Sequence, residues 1–393
     1  MAYEYLVDER IFMLDMARKY FTPEWIKRLI DALADAGFNA IMLHFSEDTG
    51  LRLESKQYPW LAGGDHTLCV YGSATGIPED DGKYITQDEM ADIVRYATSC
   101  GLAVIPSFDS PGHMNYAVKR YNAHYGTDIG NYFHKDGKVS IVHGSSANKE
   151  PEQLNYSRGI DITNPEAVAF ARTLYTEYGR FFADLGCDTF DIGGDELLGF
   201  GETVDDSVSK WNNLDHWRDH ARRITGDESA TAYDSFLLYM NEIAALMRSL
   251  GYKKVRMWND DVYRSFDTGW HGSAKIDKNI DIQYWTVAAN NGKNTPRFYI
   301  EQGHKVYNFV GYYSYYVPGL FHRYNPTPDL IRTEWTPFVF DRERPENNLS
   351  RGESGLGGFG VCLWCDIPTA ESEDEILSSL TQLFKAYGEK SRK

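Results

Sequence analysis

The sequence predicts an α/β protein folded as a (β/α)8 TIM barrel, in a single domain spanning residues 1–393. Three observations carry that expectation. Eight short apolar runs recur along the chain: Phe12–Met16, Ala40–Phe45, Ala103–Asp109, Thr189–Glu196, Val255–Asp260, Ile280–Trp285, Lys305–Val310 and Phe359–Asp366. Runs this short and continuous read as strands buried on both faces, as parallel sheets require. Helical patterns fit between most of them. Met16–Phe21, after the first run, holds no glycine, so the Gly-rich turn of a doubly wound sheet is missing.

Each helix has its own justification. Thr22 precedes Pro23 and Glu24, giving an N-cap, a first-turn proline and an early acid. Trp25, Leu29, Ile30 and Leu33 keep helical spacing until Gly37. Thr86–Cys100 with Gly101 repeats the scheme, as do Asn164–Leu185 with Gly186 and Tyr233–Leu250 with Gly251. Pro296–Gly303 predicts a short helix, residues 319–358 an irregular stretch, and Glu373–Tyr387 a closing helix. The acids Glu371, Glu373, Asp374 and Glu375 suit that last helix start electrostatically.

Composition narrows the partners. Forty Lys and Arg against 57 Asp and Glu leave a net charge of −17, which repels nucleic acid and anionic membrane surfaces. The five cysteines, including Cys69, are few and odd in number, which suits a reducing compartment. Cys362 and Cys365 form a C-x-x-C inside an apolar run, and core filling is the expected role. Met1–Arg10 is polar and acidic, unlike a secretory leader, and no apolar run reaches the roughly 18 residues of a membrane span. A cytoplasmic protein is expected, with a trimmed secreted form as the alternative. Oligomeric state is not legible.

Chemistry in a barrel gathers at the C-terminal ends of its strands. Asp15 and Arg18 follow the first run; His44, Glu47 and Asp48 the second; Asp109 and His113 the third; Asp195 and Glu196 the fourth. Asn259, Asp260 and Asp261 end the fifth, Trp285 the sixth, and Tyr312–Tyr316 follow the seventh; Trp364 and Asp366 end the eighth. A cup lined by Trp and Tyr with carboxylates at its base suits a neutral sugar. Two carboxylates on adjacent residues cannot easily straddle a scissile bond from opposite sides, as ordinary glycosidases require. They can act together from one side if the substrate supplies its own nucleophile. The preceding Gly193 and Gly194 would let a substrate approach the backbone closely.

The ordered set Arg10–Asp15 with Arg18, Leu43-His-Phe-Ser-Glu-Asp48 with Gly50 and Arg52, and Ser110-Pro-Gly-His113 resembles family 20 glycoside hydrolases, the β-N-acetylhexosaminidases. Phe190-Asp-Ile-Gly-Gly-Asp-Glu196, Trp258-Asn-Asp260, Gln283-Tyr-Trp285, Tyr315-Tyr316 and Trp364-Cys-Asp366 continue that resemblance to about Glu375. It is similar to the branch found in Gram-positive bacteria above others. The resemblance implies exo-acting hydrolysis of terminal GlcNAc or GalNAc with retention, through an oxazolinium ion made by the substrate's own 2-acetamido group. Glu196 would protonate the leaving oxygen and later deprotonate water. Asp195 would orient the acetamido group, and Tyr315 would donate to its oxygen, with Tyr312, Tyr313 and Tyr316 competing for that register. Asp48 and His113 would sit behind Glu196, with Glu47 competing for the place of Asp48. Arg10, Asp260 and Asp366 would contribute to substrate binding, and Trp258, Trp285 and Trp364 would wall the sugar. No metal or organic cofactor is implied; the partner is a glycan. Ile11, Ser107, Asp191 and Asp366 depart from the family's usual Gly, Glu, His and Glu.

Other functions remain open at this point. A lacto-N-biosidase-type enzyme would need a deeper cup. A metal-dependent hydrolase would draw on Asp15, His44, Asp109, His113 and Asp260, but H-x-H at a strand end and H-E-x-x-H are both missing. A non-catalytic sugar-binding barrel would not require a proton donor beside an acidic clamp.

Overall fold

A computed structural model describes residues 4–65, 82–131, 134–135, 138–139, 159–197, 214–259, 262–263, 273–286, 294–319 and 325–393. Eight parallel strands close into a barrel: β1 (Glu9–Asp15), β2 (Ala40–His44), β3 (Ala103–Ser107), β4 (Thr189–Asp191), β5 (Lys254–Trp258), β6 (Ile280–Tyr284), β7 (Val306–Asn308) and β8 (Leu356–Leu363). Closure is through β8 and β1, in register from Glu9 opposite Gly358 to Leu14 opposite Leu363. The seam between β3 and β4 is thin, with the single pair Ser107 opposite Asp191.

All eight expected strands are present, most of them shorter than their apolar runs. The last residues of several runs belong to the rim instead: Asp109, Glu196 and Trp285 lie beyond their strands. The helices start where side chains can cap them. Thr22 accepts from the Trp25 N–H at the head of α1 (Pro23–Ala36), and Gly37 ends it at φ 88°. Capping boxes Thr86/Glu89 and Ser372/Glu375 open α2 (Gln87–Ser99) and the closing helix Glu373–Ser391. Asn164 caps Pro165–Asp184, and Ala232–Ser249 fills the place expected for the fourth pattern. The irregular stretch 319–358 contains a helix, Pro328–Glu334, that the sequence pattern did not announce.

Strand alternation sorts side chains into two cores. Phe12, Leu14, Ile41, Leu43, Val361 and Leu363 point outward to the helices. Ile11, Met13, Ala40, Met42, Ile105, Trp258, Cys362 and Trp364 fill the barrel interior. Cys362 and Cys365 are buried and unbridged, as expected of core thiols; Cys69 lies outside the described residues. No described helix is long and apolar enough to cross a membrane.

One short piece finishes the wall. β7 pairs with the first half of β8 only, and Tyr315–Tyr316, reached through a single helical turn at Gly311–Ser314, pairs with Cys362–Leu363. That second pairing seats Tyr315 at the mouth of the barrel.

Candidate active site

Asp15 at the end of β1 organises the rim. Its Oδ1 accepts from the Ala17 and Arg18 N–H groups, and its Oδ2 from Arg18 Nη1 at 3.0 Å and the Cys365 N–H at 2.9 Å. The loops after β1 and β8 are thereby tied together, and Arg18 is aimed across the mouth. Its Nη2 reaches Glu47 Oε1 at 2.6 Å, and the guanidinium lies 5.2 Å from the Trp364 ring centre. Burial works against that charge, but Glu47, Asp15 and Asp366 outweigh it and hold Arg18 firmly protonated.

Glu47 also takes the Asp48 N–H at 2.6 Å and faces His113 Nδ1 at 3.1 Å. Burial alone would raise its proton affinity; Arg18 and His113 reverse that, and the carboxyl is held well below the ordinary range. His113 is pushed the other way. Burial disfavours its charge, but Glu47 and Asp195 keep the imidazolium well above its usual pKa. The ring's other nitrogen, Nε2, sits 3.7 Å from Asp195 Oδ2 and 3.7 Å from Glu196 Oε2. One cation therefore stands between both adjacent acids. His113 and Glu196 have left-handed backbones, φ 50° and 46°. Such conformations cost about 1–3 kcal/mol each and concentrate at functional sites.

The glycines before the acid pair serve a different purpose from the one expected. A Cβ on Gly193, at φ 68°, would lie 1.7 Å from Asp109 Oδ1, and one on Gly194 would meet Met240 at 2.7 Å. They admit the protein's own side chains, not a substrate. Asp109 then accepts the Gly194 N–H at 2.9 Å. Burial raises the Asp109 carboxyl well above its usual range, against the hydrogen bond with Asp195.

Aromatic rings line the cup continuously. Trp285 and Tyr315 stack at 6.0 Å with an 11° tilt, Tyr315 meets Trp364 edge-on at 5.7 Å, and Trp364 lies 6.2 Å from Trp258. Asn259 Oδ1 accepts from the Trp285 N–H at 2.8 Å, so the residue after β5 holds the wall after β6. Among the four tyrosines, Tyr315 is the one beside the acids: burial first, then Cys362, Asp195 and Glu196, press its phenol well above its usual pKa. Tyr312 is 38% exposed under Arg342, Tyr313 bonds Glu334, and Tyr316 bonds Glu371.

Two expectations change. Arg10 lies at the opposite end of β1, five residues from Asp15 and so about 16 Å away, on the outward-facing parity. Its guanidinium is spent on the carbonyls of Gly37, Val7 and Asp8 and on the Tyr5 ring, so it is no substrate ligand. Arg18 holds the rim position instead; the i, i+3 spacing from Asp15 was its signal. Second, Glu47 rather than Asp48 makes the close contact with His113. Asp48 stands 3.7 Å off and accepts from the Asn115 backbone and side chain. Asp260 lies outside the described residues, and Asp366 is pressed upward by burial and drawn back by Arg18.

Among the described residues, two sets of side chains could hold a cation: Glu47, Asp48 and His113, and Asp109, His113 and Asp195. Both use His113, already held as a cation, and the first includes a carboxylate that Arg18 neutralises. A divalent ion would have to displace those charges, so the fit is poor. The described cavity of about 240 Å³ opens at the far end, beside Glu9, Thr189 and Lys254.

A closed (β/α)8 barrel with acids and aromatics at its C-terminal mouth places the chain in the TIM-barrel class. The profile of glycosyl hydrolase family 20, catalytic domain, matches residues 8–372, and the chain belongs to that family. It is 24% identical over 359 residues to a lacto-N-biosidase of Bifidobacterium bifidum, covering 90% of this chain and 26% of that protein. It is 25% identical over 364 residues to β-hexosaminidase subunit A1 of Dictyostelium discoideum, covering 91% and 54%. The chain thus spans about a quarter to a half of these relatives. In fold it is similar to Dispersin B, with TM-score 0.66, 23% identity and 98% and 99% of the two chains covered. A catalytic module of a pneumococcal exo-β-D-N-acetylglucosaminidase gives TM-score 0.71 at 22% identity, covering 98% and 84%.

Proposed function

We propose that the chain is an exo-acting, retaining β-N-acetylhexosaminidase that removes terminal GlcNAc or GalNAc from glycans by substrate-assisted catalysis. The observation that carries this is the convergence of Asp195 and Glu196 on the same His113 nitrogen, with the Tyr315 phenol beside both. Two adjacent acids act together from one side of the cup, and the 2-acetamido oxygen of the sugar takes the part of the nucleophile. It attacks the anomeric carbon as the glycosidic bond breaks and Glu196 delivers its proton to the leaving oxygen. Asp195 accepts from the acetamido N–H and offsets the positive charge of the oxazolinium, while Tyr315 donates to the acetamido oxygen. Water, deprotonated by Glu196, then opens the ring with net retention. Trp258, Trp285 and Trp364 pack against the sugar, and Arg18 with Asp366 takes its outer hydroxyls, which favours exo action.

Paired chromogenic conjugates of GlcNAc, GalNAc and glucose test the reading. The two acetamido sugars are expected to react and the glucoside very poorly. Asp195→Asn is expected to lower kcat on the reactive conjugate by roughly 10²-fold, the scale of losing a donor or acceptor aimed at transition-state charge. A glucoside hydrolysed as fast as the GlcNAc conjugate would sink the mechanism. The similarity to a lacto-N-biosidase supports a second reading, release of a disaccharide, which a lacto-N-biose conjugate in the same assay separates.

A further inference from the structure

Inside the barrel, directly under the acids, lies a buried chain of polar groups that the reaction does not itself use. His44 ends β2, Ser107 ends β3, Asp191 ends β4 and Gln283 lies near the end of β6; all four face inward by strand parity and are fully buried. Ser107 Oγ donates to Asp191 Oδ2 at 2.6 Å, His44 Nδ1 meets Ser107 Oγ at 2.9 Å, and Gln283 Nε2 donates to Asp191 Oδ1 at 2.9 Å. The far nitrogen of His44, Nε2, has no hydrogen-bond partner within reach and faces Glu47 Oε1 at 3.6 Å. Ser107 and Asp191 are two of the positions where the sequence departs from the family's usual residues, and the structure joins them to each other.

The hydrogen count fixes what His44 presents. A serine hydroxyl has one hydrogen. If Asp191 is ionised, that hydrogen goes to Asp191 and His44 Nδ1–H must donate to Ser107. If Asp191 holds the proton, a state that its burial favours, Ser107 instead donates to His44 Nδ1. In the second case the neutral ring carries its one hydrogen on Nε2. In the first, a bare Nε2 would aim a lone pair at a buried carboxylate, which the second avoids. The second arrangement is therefore the one that suits both ends of the ring.

We propose that His44, backed by Ser107 and Asp191, is a positioning residue that keeps an Nε2 hydrogen directed at Glu47 and so fixes Glu47 and the His113 ring for Glu196. The proposal rests on the hexosaminidase reading for its kinetic consequence, but not for the proton's place. Glu47 is faced by Arg18, His113, Asp109 and Asp366 besides His44, and Asp191 by Arg256 and Asp109. Arg18 anchors one Glu47 oxygen, and His44 is the second group that approaches that same oxygen from below.

Two measurements test it. With histidine 15N-labelled protein and His44→Gln to assign the signal, His44 is expected to show a protonated Nε2 from about pH 6 to 8. In Asp191→Asn the Asn carbonyl keeps the Gln283 and Gly193 N–H groups, its amide N–H turns to Ser107, and Ser107 goes on donating to His44 Nδ1, so Nε2 is expected to stay protonated. The second measurement compares replacements. The His44→Gln amide reaches where Nε2 was and should keep kcat within about threefold. His44→Asn reaches only toward Ser107 and should lose roughly tenfold or more in kcat with little change in KM, the scale of losing a close polar contact with a buried charge. A bare Nε2 in the wild type overturns the proposal. So does the reverse order of the two replacements, or a bare Nε2 in Asp191→Asn. Wild-type protein inert toward GlcNAc conjugates would end the hexosaminidase reading alone, since the nitrogen signal needs no substrate.

Discussion

At the N-terminal end of the barrel Glu9 meets Lys254 at 2.7 Å, Arg256 at 2.6 Å and the Tyr307 hydroxyl at 2.9 Å. At the C-terminal end Glu47, Asp195, Glu196 and Asp366 share Arg18 and His113. Burial opposes the Glu9 charge, yet Arg256 and Lys254 hold its carboxyl down to about 2. Cations outnumber acids in the first cluster; acids outnumber cations in the second. A carboxylate with more partners than it needs stabilises a fold. A set with fewer keeps affinity for protons and positive charge, which bond cleavage through a cationic intermediate can draw on.

That contrast can be broken by moving outward from the chemistry. Glu196→Gln is expected to lower kcat on substrates with poor leaving groups by about 10³-fold, within the reach of general acid catalysis, while thermal unfolding stays near wild type. A loss of fold in step with activity would place Glu196 with Glu9 as a structural acid. Arg18→Ala and Arg10→Ala should separate the ends further. The first is expected to cut kcat/KM by roughly 10–100-fold, and the second to leave kinetics alone while costing about 1–3 kcal/mol of stability. Equal kinetic losses would erase the distinction.

The last effect, on stability alone, belongs to the N-terminal cluster and has a definite pH signature. The Glu9 carboxyl is depressed on folding, from 4.5 to about 2, so its stabilisation is present above the unfolded value and lost as pH falls through the folded one. Glu9→Gln should therefore lose about 2–3 kcal/mol near neutrality, with the gap to wild type closing between about pH 4.5 and 2. Denaturant melts at several pH values measure it. A gap independent of pH would assign the loss to packing.

The same two ends explain what could be read from the sequence. Helix starts at Thr22, Thr86 and Asn164 were legible because caps are local, that of the last helix because acids cluster at Glu373–Glu375, and the eight strands because burial on both faces leaves continuous apolar runs. The Asp195-Glu196 pair was legible because adjacency itself carries the chemistry. Arg10 and Arg18 were not separable by motif order alone, though strand parity and the strand's direction divide them once β1 is bounded. Glu47 and Asp48 differ only in which of two neighbours turns toward His113, and that is decided by Arg18 and Asn115 from other segments. Tyr315 among four tyrosines needed the pairing with β8. His44 read as an ordinary core residue because its partners, Ser107 and Asp191, lie 63 and 84 further residues along the chain.

Seating Tyr315 on a grafted rung rather than on β7 itself gives this wall an independent adjustment. The ladder between β7 and β8 ends before Tyr315 begins, so residues 309–314 set how far the phenol leans over the mouth. Lengthening or shortening that connection would move the Tyr315 phenol without reopening the cylinder, so the mouth can change shape while the scaffold stays constant.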